Sequence, residues 1–269
     1  MISKERPSLY AMSVDGKKLR TGLRVATDLF IVIMFHLSYF IIKSTGHPRV
    51  GFFCEDDSIR YPFNKETITT LQAALYGYLF PLLLVIVVEL LFSVYQKFHE
   101  GEMDAVKKSW LPIYNYCIAF LVAAGACFMI TTILKYTLGR LRPHFLAACE
   151  PDIPLNQCTG YQSNYVCRST NTKAVENAYL SFVSGHSSAV SVGVVFSVLY
   201  MQKRLNLTLT PMLRPMLQFI LIGTCLYVGY SRVSDYMHHP TDVVGGLLLG
   251  TVCAVFVFFC YIGSPSDLI

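Results

Sequence analysis

Residues 113–134 read IYNYCIAFLVAAGACFMITTIL, a run without a single charge, and Lys135 follows at once. As a helix rising about 1.5 Å per residue, a run of that length crosses a hydrocarbon core of about 30 Å. Five further apolar stretches flank it: Leu23–Ile42, Leu71–Tyr95, Ser187–Met201, Met216–Tyr230 and Val243–Ile262. The fourth and fifth in chain order are the shortest. Of the 269 residues 54% are hydrophobic and only 14% charged, which excludes an ordinary soluble fold. The sequence predicts an all-α integral membrane protein, with six transmembrane helices in one bundle and both termini cytoplasmic. Its expected organisation is a cytoplasmic segment 1–22, a six-span domain 23–262 and a cytoplasmic tail 263–269.

Orientation follows from charge. Lys4, Arg6, Lys17, Lys18 and Arg20 precede the first span, and Lys107, Lys108, Lys203 and Arg204 fall in loops on the same side, which places that side in the cytoplasm. The length of the first apolar run, with no small-residue cleavage site after Ile42, marks a retained anchor rather than a signal peptide. Arg140, Arg142, Arg168, Lys173 and Arg232 break the rule by lying outside. Positive charge on the disfavoured side calls for another reason, such as an anionic ligand. The net charge of +5, with no basic patch interleaved with exposed aromatics, argues against nucleic acid.

Nine cysteines divide by position. Cys117, Cys127, Cys225, Cys253 and Cys260 lie within spans, where a thiol is ordinarily a small apolar residue. Cys54, Cys149, Cys158 and Cys167 fall in two long exterior loops, about 43–70 and 144–181, where oxidation is permitted. Four cysteines allow three pairings, and at least one disulfide is expected in the 149–167 stretch. Within the spans, Asp28, His36 and Glu89 are costly unless they pair inside the bundle or sit near an interface. Gly245, Gly246 and Gly250 allow the last helix to pack closely.

Three polar clusters sit at span ends. The first, Lys135 to His144, puts Lys135, Arg140 and Arg142 just beyond the third span. The second runs from Ser181 through Ser184, Gly185 and His186 into the fourth. A Ser-Gly at a helix start offers a hydroxyl, free N–H groups and the positive end of the helix dipole, which together hold an anion. His186 would stand beside that anion as a proton donor. The third cluster contains Ser231, Arg232, His238, His239 and Asp242, with Pro240 suited to the first turn of the sixth span. Asp242 is four residues from His238 and three from His239, so spacing alone leaves both histidines as partners for the carboxylate. The topology brings all three clusters to one side of the bilayer, as a single site requires.

These clusters resemble the signature of the type 2 phosphatidic acid phosphatase superfamily: Lys-x6-Arg-Pro, Pro-Ser-Gly-His, then Ser-Arg-x5-His-x3-Asp. Lys135 with Arg142 and Pro143, then Ser184, Gly185 and His186, then Ser231, Arg232, His238 and Asp242 match in order and spacing. The stretch from Gly51 through Cys54 to Pro62, Leu141 to Phe145 and Ser231 to Tyr236 are similar to its lipid phosphate phosphatase (phospholipid phosphatase) subgroup. Val183 replaces the proline of the general pattern, and the second exterior loop lacks an ordinary glycosylation sequon. Asn206 to Thr208 fits a sequon on the cytoplasmic side, where it should stay unmodified.

The resemblance implies His238 as nucleophile, Asp242 orienting it and His186 protonating the leaving alcohol. Lys135, Arg142, Arg232, Ser184 and Gly185 would bind the phosphoryl group, and neither metal nor other cofactor is expected. The implied substrate is a phosphorylated lipid in the bilayer: phosphatidic acid, lysophosphatidic acid, sphingosine 1-phosphate or ceramide 1-phosphate. The site would be extracellular at the plasma membrane, or lumenal in an internal membrane, and a homo-oligomer is compatible with the sequence. Two rivals are a lipid phosphotransferase of the same superfamily and a transporter or scaffold using Asp28, His36 and Glu89.

Overall fold

The computed structural model describes residues 9–46, 48–99, 101, 104–207 and 210–263. The outer parts of the terminal segments expected at 1–22 and 263–269 lie outside the described residues, as does Thr208 of the sequon at Asn206. Helix α1 (Leu9–Ser44) is followed by strand β1 (Phe52–Phe53) and a 3-10 turn (Asp57–Ile59). A capped start at Thr69 then opens α2 (Thr70–Ala74), which continues through a π turn (Leu75–Leu79) into α3 (Phe80–His99). At that start Thr69 Oγ1 accepts from Gln72 N–H at 3.3 Å and Gln72 Oε1 accepts from Thr69 N–H at 2.8 Å, a reciprocal cap. Short α4 (Ala105–Lys108) leads to α5 (Trp110–Leu138), which stops where Gly139 takes φ +58° and returns its N–H to Lys135 O. Then follow α6 (Phe145–Cys149), strand β2 (Tyr161–Gln162), α7 (Thr172–Ala178), α8 (Gly185–Arg204), α9 (Leu213–Ser234) and α10 (Pro240–Val257) with a final π turn (Phe258–Ile262).

Among the described residues, five helices are long and apolar enough to cross a membrane: Leu19–Ser44, Thr70–His99, Val106–Leu138, Leu213–Ser234 and Pro240–Ile262. The expected fourth span, Ser187–Met201, lies within α8, which is long enough but too polar to join them. The reason is its position. Helix α8 packs against α5, α9, α10 and the α2–α3 segment, so its buried Ser187, Ser188, Ser191 and Ser197 face protein. Ser191 Oγ donates to Leu247 O at 2.8 Å, Ser197 Oγ to Gly193 O at 2.8 Å, and Ser188 Oγ pairs with Thr131 Oγ1 at 3.0 Å. Apolarity is demanded only of faces that meet lipid.

Between helices in a bilayer, close packing and hydrogen bonds replace the hydrophobic drive, and small residues permit it. A Cβ on Gly250 would lie 2.5 Å from Ser188 O, and one on Gly246 2.6 Å from Ser184 O, so α10 meets α8 backbone to backbone. Tyr116, Phe120, Phe196, Tyr200 and Phe258 form an aromatic core among α5, α8 and the last turn, with ring pairs 4.9 to 6.5 Å apart. Large side chains such as Phe30, Leu91, Phe219 and Leu248 point outward.

The two long loops 43–70 and 144–181, expected from the sequence to be exterior, form one cap. Phe52–Phe53 pairs antiparallel with Tyr161–Gln162, a small ladder that modifies the all-α expectation. Two disulfides, Cys54–Cys158 and Cys149–Cys167, choose one of the three pairings. Phe52, Ile59, Phe145, Leu146 and Tyr179 fill a core beneath them.

The polar residues inside the spans pair locally. Tyr114 donates to Asp28 at 2.7 Å, and His36 Nδ1 lies 2.8 Å from Val32 O. At the end of the bundle away from the cap, Glu89, 1% exposed, accepts from Arg204 at 2.7 and 2.6 Å and from Tyr200 at 3.0 Å. Breaking a buried pair strands the surviving charge, whereas replacing both partners relieves it. We therefore expect Glu89→Ala to destabilise the protein by about 3 kcal/mol. Glu89→Leu combined with Arg204→Met should recover most of that loss, both measured by unfolding in detergent micelles.

Candidate active site

Helix α8 begins directly beneath the cap, and the other clusters converge on its first turn. Ser184 is its N-cap, accepting from Ser187 N–H and Ser187 Oγ, while its own N–H donates to Asp242 O at 3.0 Å. That last bond joins the start of α8 to the start of α10. A Cβ built on Gly185 would meet nothing closer than Lys135 Cε at 3.7 Å. No protein atom demands glycine there, so the bare backbone is left open to a ligand. Lys135 lies over this turn and donates from Nζ to Leu180 O at 2.7 Å.

The third cluster is set by a tight turn after α9, in which Met237 and His238 both donate their N–H to Arg232 O. Tyr236 holds φ +57°, and its carbonyl lies 2.8 Å from His144 Nδ1. His238 is thereby buried with Nδ1 turned toward α10, 3.7 Å from Asp242 Oδ2 and 3.5 Å from Ser181 Oγ. Burial, with the cations of Arg142 and Lys135 nearby, holds this imidazole well below its ordinary range, against the pull of Asp242. That favours the neutral imidazole.

Of the two histidines left open by spacing, the geometry separates the roles. His238 turns a ring nitrogen to the Asp242 carboxylate. His239 offers Asp242 Oδ2 only its backbone N–H, at 3.0 Å, and directs its ring Nε2 to Leu141 O. The carboxylate is crowded: Ser181 Oγ donates to Oδ2 at 2.5 Å and Arg140 Nη1 to Oδ1 at 2.6 Å. Arg140 also donates to Thr241 Oγ1 at 2.7 Å. The sequence reading offered Arg140 to an anionic ligand, but its charge is spent on Asp242. Arg168, another exterior cation, donates to Asp152 O within the cap and is not part of the site.

Arg142 and Arg232 differ from Arg140. Arg232 is 0% exposed, bonded through Nη2 to Asp235 at 3.1 Å and through Nε and Nη2 to Ser231. Burial lowers the Arg142 guanidinium to about 10, so it stays charged at neutral pH. Three buried side-chain nitrogens among the described residues have no hydrogen-bond partner: Arg142 Nε, His186 Nε2 and Arg232 Nη1. Each comes from a different cluster. The charges of Arg232, Arg142 and Lys135 all act on His186, so these groups lie near one another. Buried donors left unpaired, such as Arg142 Nε and Arg232 Nη1, are costly, and an anion with several acceptor oxygens satisfies both at once.

The first exterior loop closes this space, a part the sequence reading missed because loop composition carries no periodic signal. Thr67 donates its N–H to Asp235 Oδ2 and its hydroxyl to Oδ1, both at 2.7 Å. Tyr61 stacks on Tyr236 at 4.5 Å and Phe63 packs on His144 at 4.8 Å. Glu66 reaches within 3.9 Å of Arg232 Nη1. Among the described residues no group of three or more His, Cys, Asp or Glu is placed to hold a metal ion.

Comparison with known proteins agrees with this geometry. The family model of the PAP2 superfamily matches residues 115–264, which contain all three clusters. Phospholipid phosphatase 1 of Rattus norvegicus is 40% identical over 87% of this chain and 83% of its own length. Phospholipid phosphatase 2 of Homo sapiens is 40% identical over 91% of this chain and 84% of its own. A PAP2 type phosphatidylglycerolphosphate phosphatase from Bacillus subtilis, of known crystal structure, is 19% identical over 87% of this chain and 91% of its own. Its TM-score of 0.36 makes that likeness too loose to argue from. On the family match and these relatives, the chain belongs to the PAP2 superfamily and, within it, to the phospholipid phosphatases.

Proposed function

We propose that this protein is an integral membrane lipid phosphate phosphatase, working through a phosphohistidine on the non-cytoplasmic face. The observation that carries the reading is the convergence of three unpartnered buried nitrogens from three clusters on the open first turn of α8. Helix α8 is taken as the fourth of six spans, its length of 20 residues being about 30 Å. With a cytoplasmic N-terminus, six spans put the cap and site outside the cell, or in a lumen.

In this mechanism the phosphoryl oxygens lie against Arg142, Arg232, Lys135 and the N–H groups following Ser184, which stabilise charge as it spreads in the transition state. His238 Nε2 attacks phosphorus, forming an N–P bond as the ester P–O bond breaks. Positive charge appearing on the ring is stabilised by Asp242. The bound anion favours the protonated form of His186, which donates from Nε2 to the departing alcohol. Neutral His186 then takes a proton from water, which attacks the phosphohistidine, releases inorganic phosphate and restores His238. Three cations and a helix terminus do the electrostatic work in this scheme, so no Mg²⁺ is invoked.

The substrate class follows from access. A largely apolar cavity of about 340 Å³, lined by Tyr39, Ala73, Tyr78 and Phe128 among others, ends on Lys135 and Gly185. It lies between α1, α2, α5 and α8, where an acyl chain can remain while its headgroup enters the site. Phosphatidic acid, lysophosphatidic acid, sphingosine 1-phosphate and ceramide 1-phosphate all have the required form. The Lys135 to Pro143 cluster and the likeness to phospholipid phosphatases favour hydrolysis over transfer to a second lipid. Asp28, His36 and Glu89, the residues a transporter would need, are already committed within the bundle.

Purified protein in EDTA should release inorganic phosphate from phosphatidic acid in mixed micelles. His238→Ala should show neither turnover nor an acid-labile phosphoenzyme, while His239→Ala keeps substantial activity; the reverse pattern would assign the nucleophile to His239. Arg140→Gln should lower kcat by about 10- to 100-fold, the scale for partners that orient a catalytic histidine, with KM little changed. A loss confined to KM would instead make Arg140 a phosphate ligand. For sidedness, Lys173→Cys in α7 should react with an impermeant maleimide on intact cells when the protein is at the surface. Labelling only after permeabilisation, with a surface marker present, would invert the topology.

A further inference from the structure

A cradle built from three cations and a helix N-terminus binds its product as well as its substrate. Tight binding of inorganic phosphate would slow every turnover, because product must leave before the next substrate binds. The structure holds one group placed to oppose this. Asp242 is occupied by Ser181, Arg140 and the His239 N–H. Asp235 is occupied by Thr67 and Arg232. Glu66 is different. Its carboxylate lies 3.9 Å from Arg232 Nη1, too far for a hydrogen bond, and its charge acts on both Arg142 and Arg232. It therefore faces two of the guanidinium groups whose nitrogens lack partners.

We propose that Glu66 is a displaceable counter-ion of the anion site, neutralising the empty cradle and competing with the phosphoryl group for it. The proposal rests on the lipid phosphatase reading above. Anchoring of the neighbouring residues gives the carboxylate freedom without moving the loop. Thr67 is held to Asp235 by two bonds of 2.7 Å, and Phe63 is packed on His144. The Glu66 side chain itself is 34% exposed, against 0% for Arg232, so rotation into solvent is open to it. An arriving phosphate dianion repels the carboxylate outward and takes over the two arginines. After hydrolysis the carboxylate returns, and its return lowers the affinity for inorganic phosphate.

The sign of this effect distinguishes it from a structural role. A residue that only supports the loop weakens ligand binding when it is changed, whereas removing a competitor tightens it. Full-length protein, Glu66→Gln and Glu66→Asp are compared in detergent micelles with inorganic phosphate as the probe. Two readouts are used: competitive inhibition of phosphatidic acid hydrolysis, and the shift in unfolding temperature, which needs no turnover. Glu66→Gln should bind phosphate about tenfold more tightly by both, the scale of one screened charge at a few ångströms, with KM falling in parallel. Glu66→Asp, which keeps the charge, should stay near wild type. Unchanged or weaker phosphate binding in Glu66→Gln overturns the proposal, as does equal tightening in both variants. If wild type is stabilised by phosphate yet releases none from lipid, the lipid phosphatase reading fails while the Glu66 comparison still stands on the unfolding shift.

Discussion

One backbone hydrogen bond, from the Ser184 N–H to Asp242 O at 3.0 Å, ties the first turn of α8 to the first turn of α10. The junction is possible because Gly246 and Gly250 carry no Cβ, and any larger residue would meet the α8 backbone at about 2.5 Å. From one side of the junction comes the anion-binding turn with Gly185 and His186. From the other comes Asp242, against which His238 and Ser181 are set. His238, Asp242 and the first turn of α8 are thus positioned by the same contact. A shift of α10 along α8 would move Asp242 relative to that turn, and the close contacts at Gly246 and Gly250 oppose it.

Electrostatics is arranged in two layers around that junction. Asp242 and Asp235 are enclosed and fully bonded, and each fixes a working side chain: His238 by proximity, Arg232 by a bond of 3.1 Å. The cations that remain incompletely paired, Arg142 and Arg232, face inward to the same space as His186. Burying such charges is expensive when they are alone. The arrangement is stable because the carboxylates behind them, and Glu66 at the mouth, offset the charge until an anion arrives. The same enclosure favours the neutral form of His238.

The parts of this design that could be read from sequence are those that repeat or keep a strict spacing. Apolar runs marked the long helices, and the gaps between Lys135 and Arg142 and between Arg232, His238 and Asp242 are short enough along the chain to keep a fixed spacing. Helix α8 was the hardest span to delimit, since its serines are satisfied by α5 and α10 and erase the apolar signature. Ser181 and Arg140 left no trace as partners of Asp242, because they reach it across 61 and 102 residues of chain. Arg140 looked like a ligand for an anion, and only its distance to Asp242 shows where its charge goes. The four exterior cysteines likewise permitted three pairings until the ladder between Phe52–Phe53 and Tyr161–Gln162 brought Cys54 beside Cys158.

That ladder has a consequence for the site as well as for the cap. The first exterior loop supplies Tyr61, Phe63, Glu66 and Thr67 to the rim of the cradle, yet its own chain has little secondary structure to hold it. Its position is imposed from outside: by β2 and the Cys54–Cys158 disulfide at one end, and by the capped start of α2 at Thr69 at the other. Between these fixed ends Tyr61, Phe63 and Thr67 are held by contacts with Pro143, Tyr236, His144 and Asp235. A rim of that kind can alter its charge toward an incoming headgroup without opening the site to bulk water, which would weaken every electrostatic contact within it.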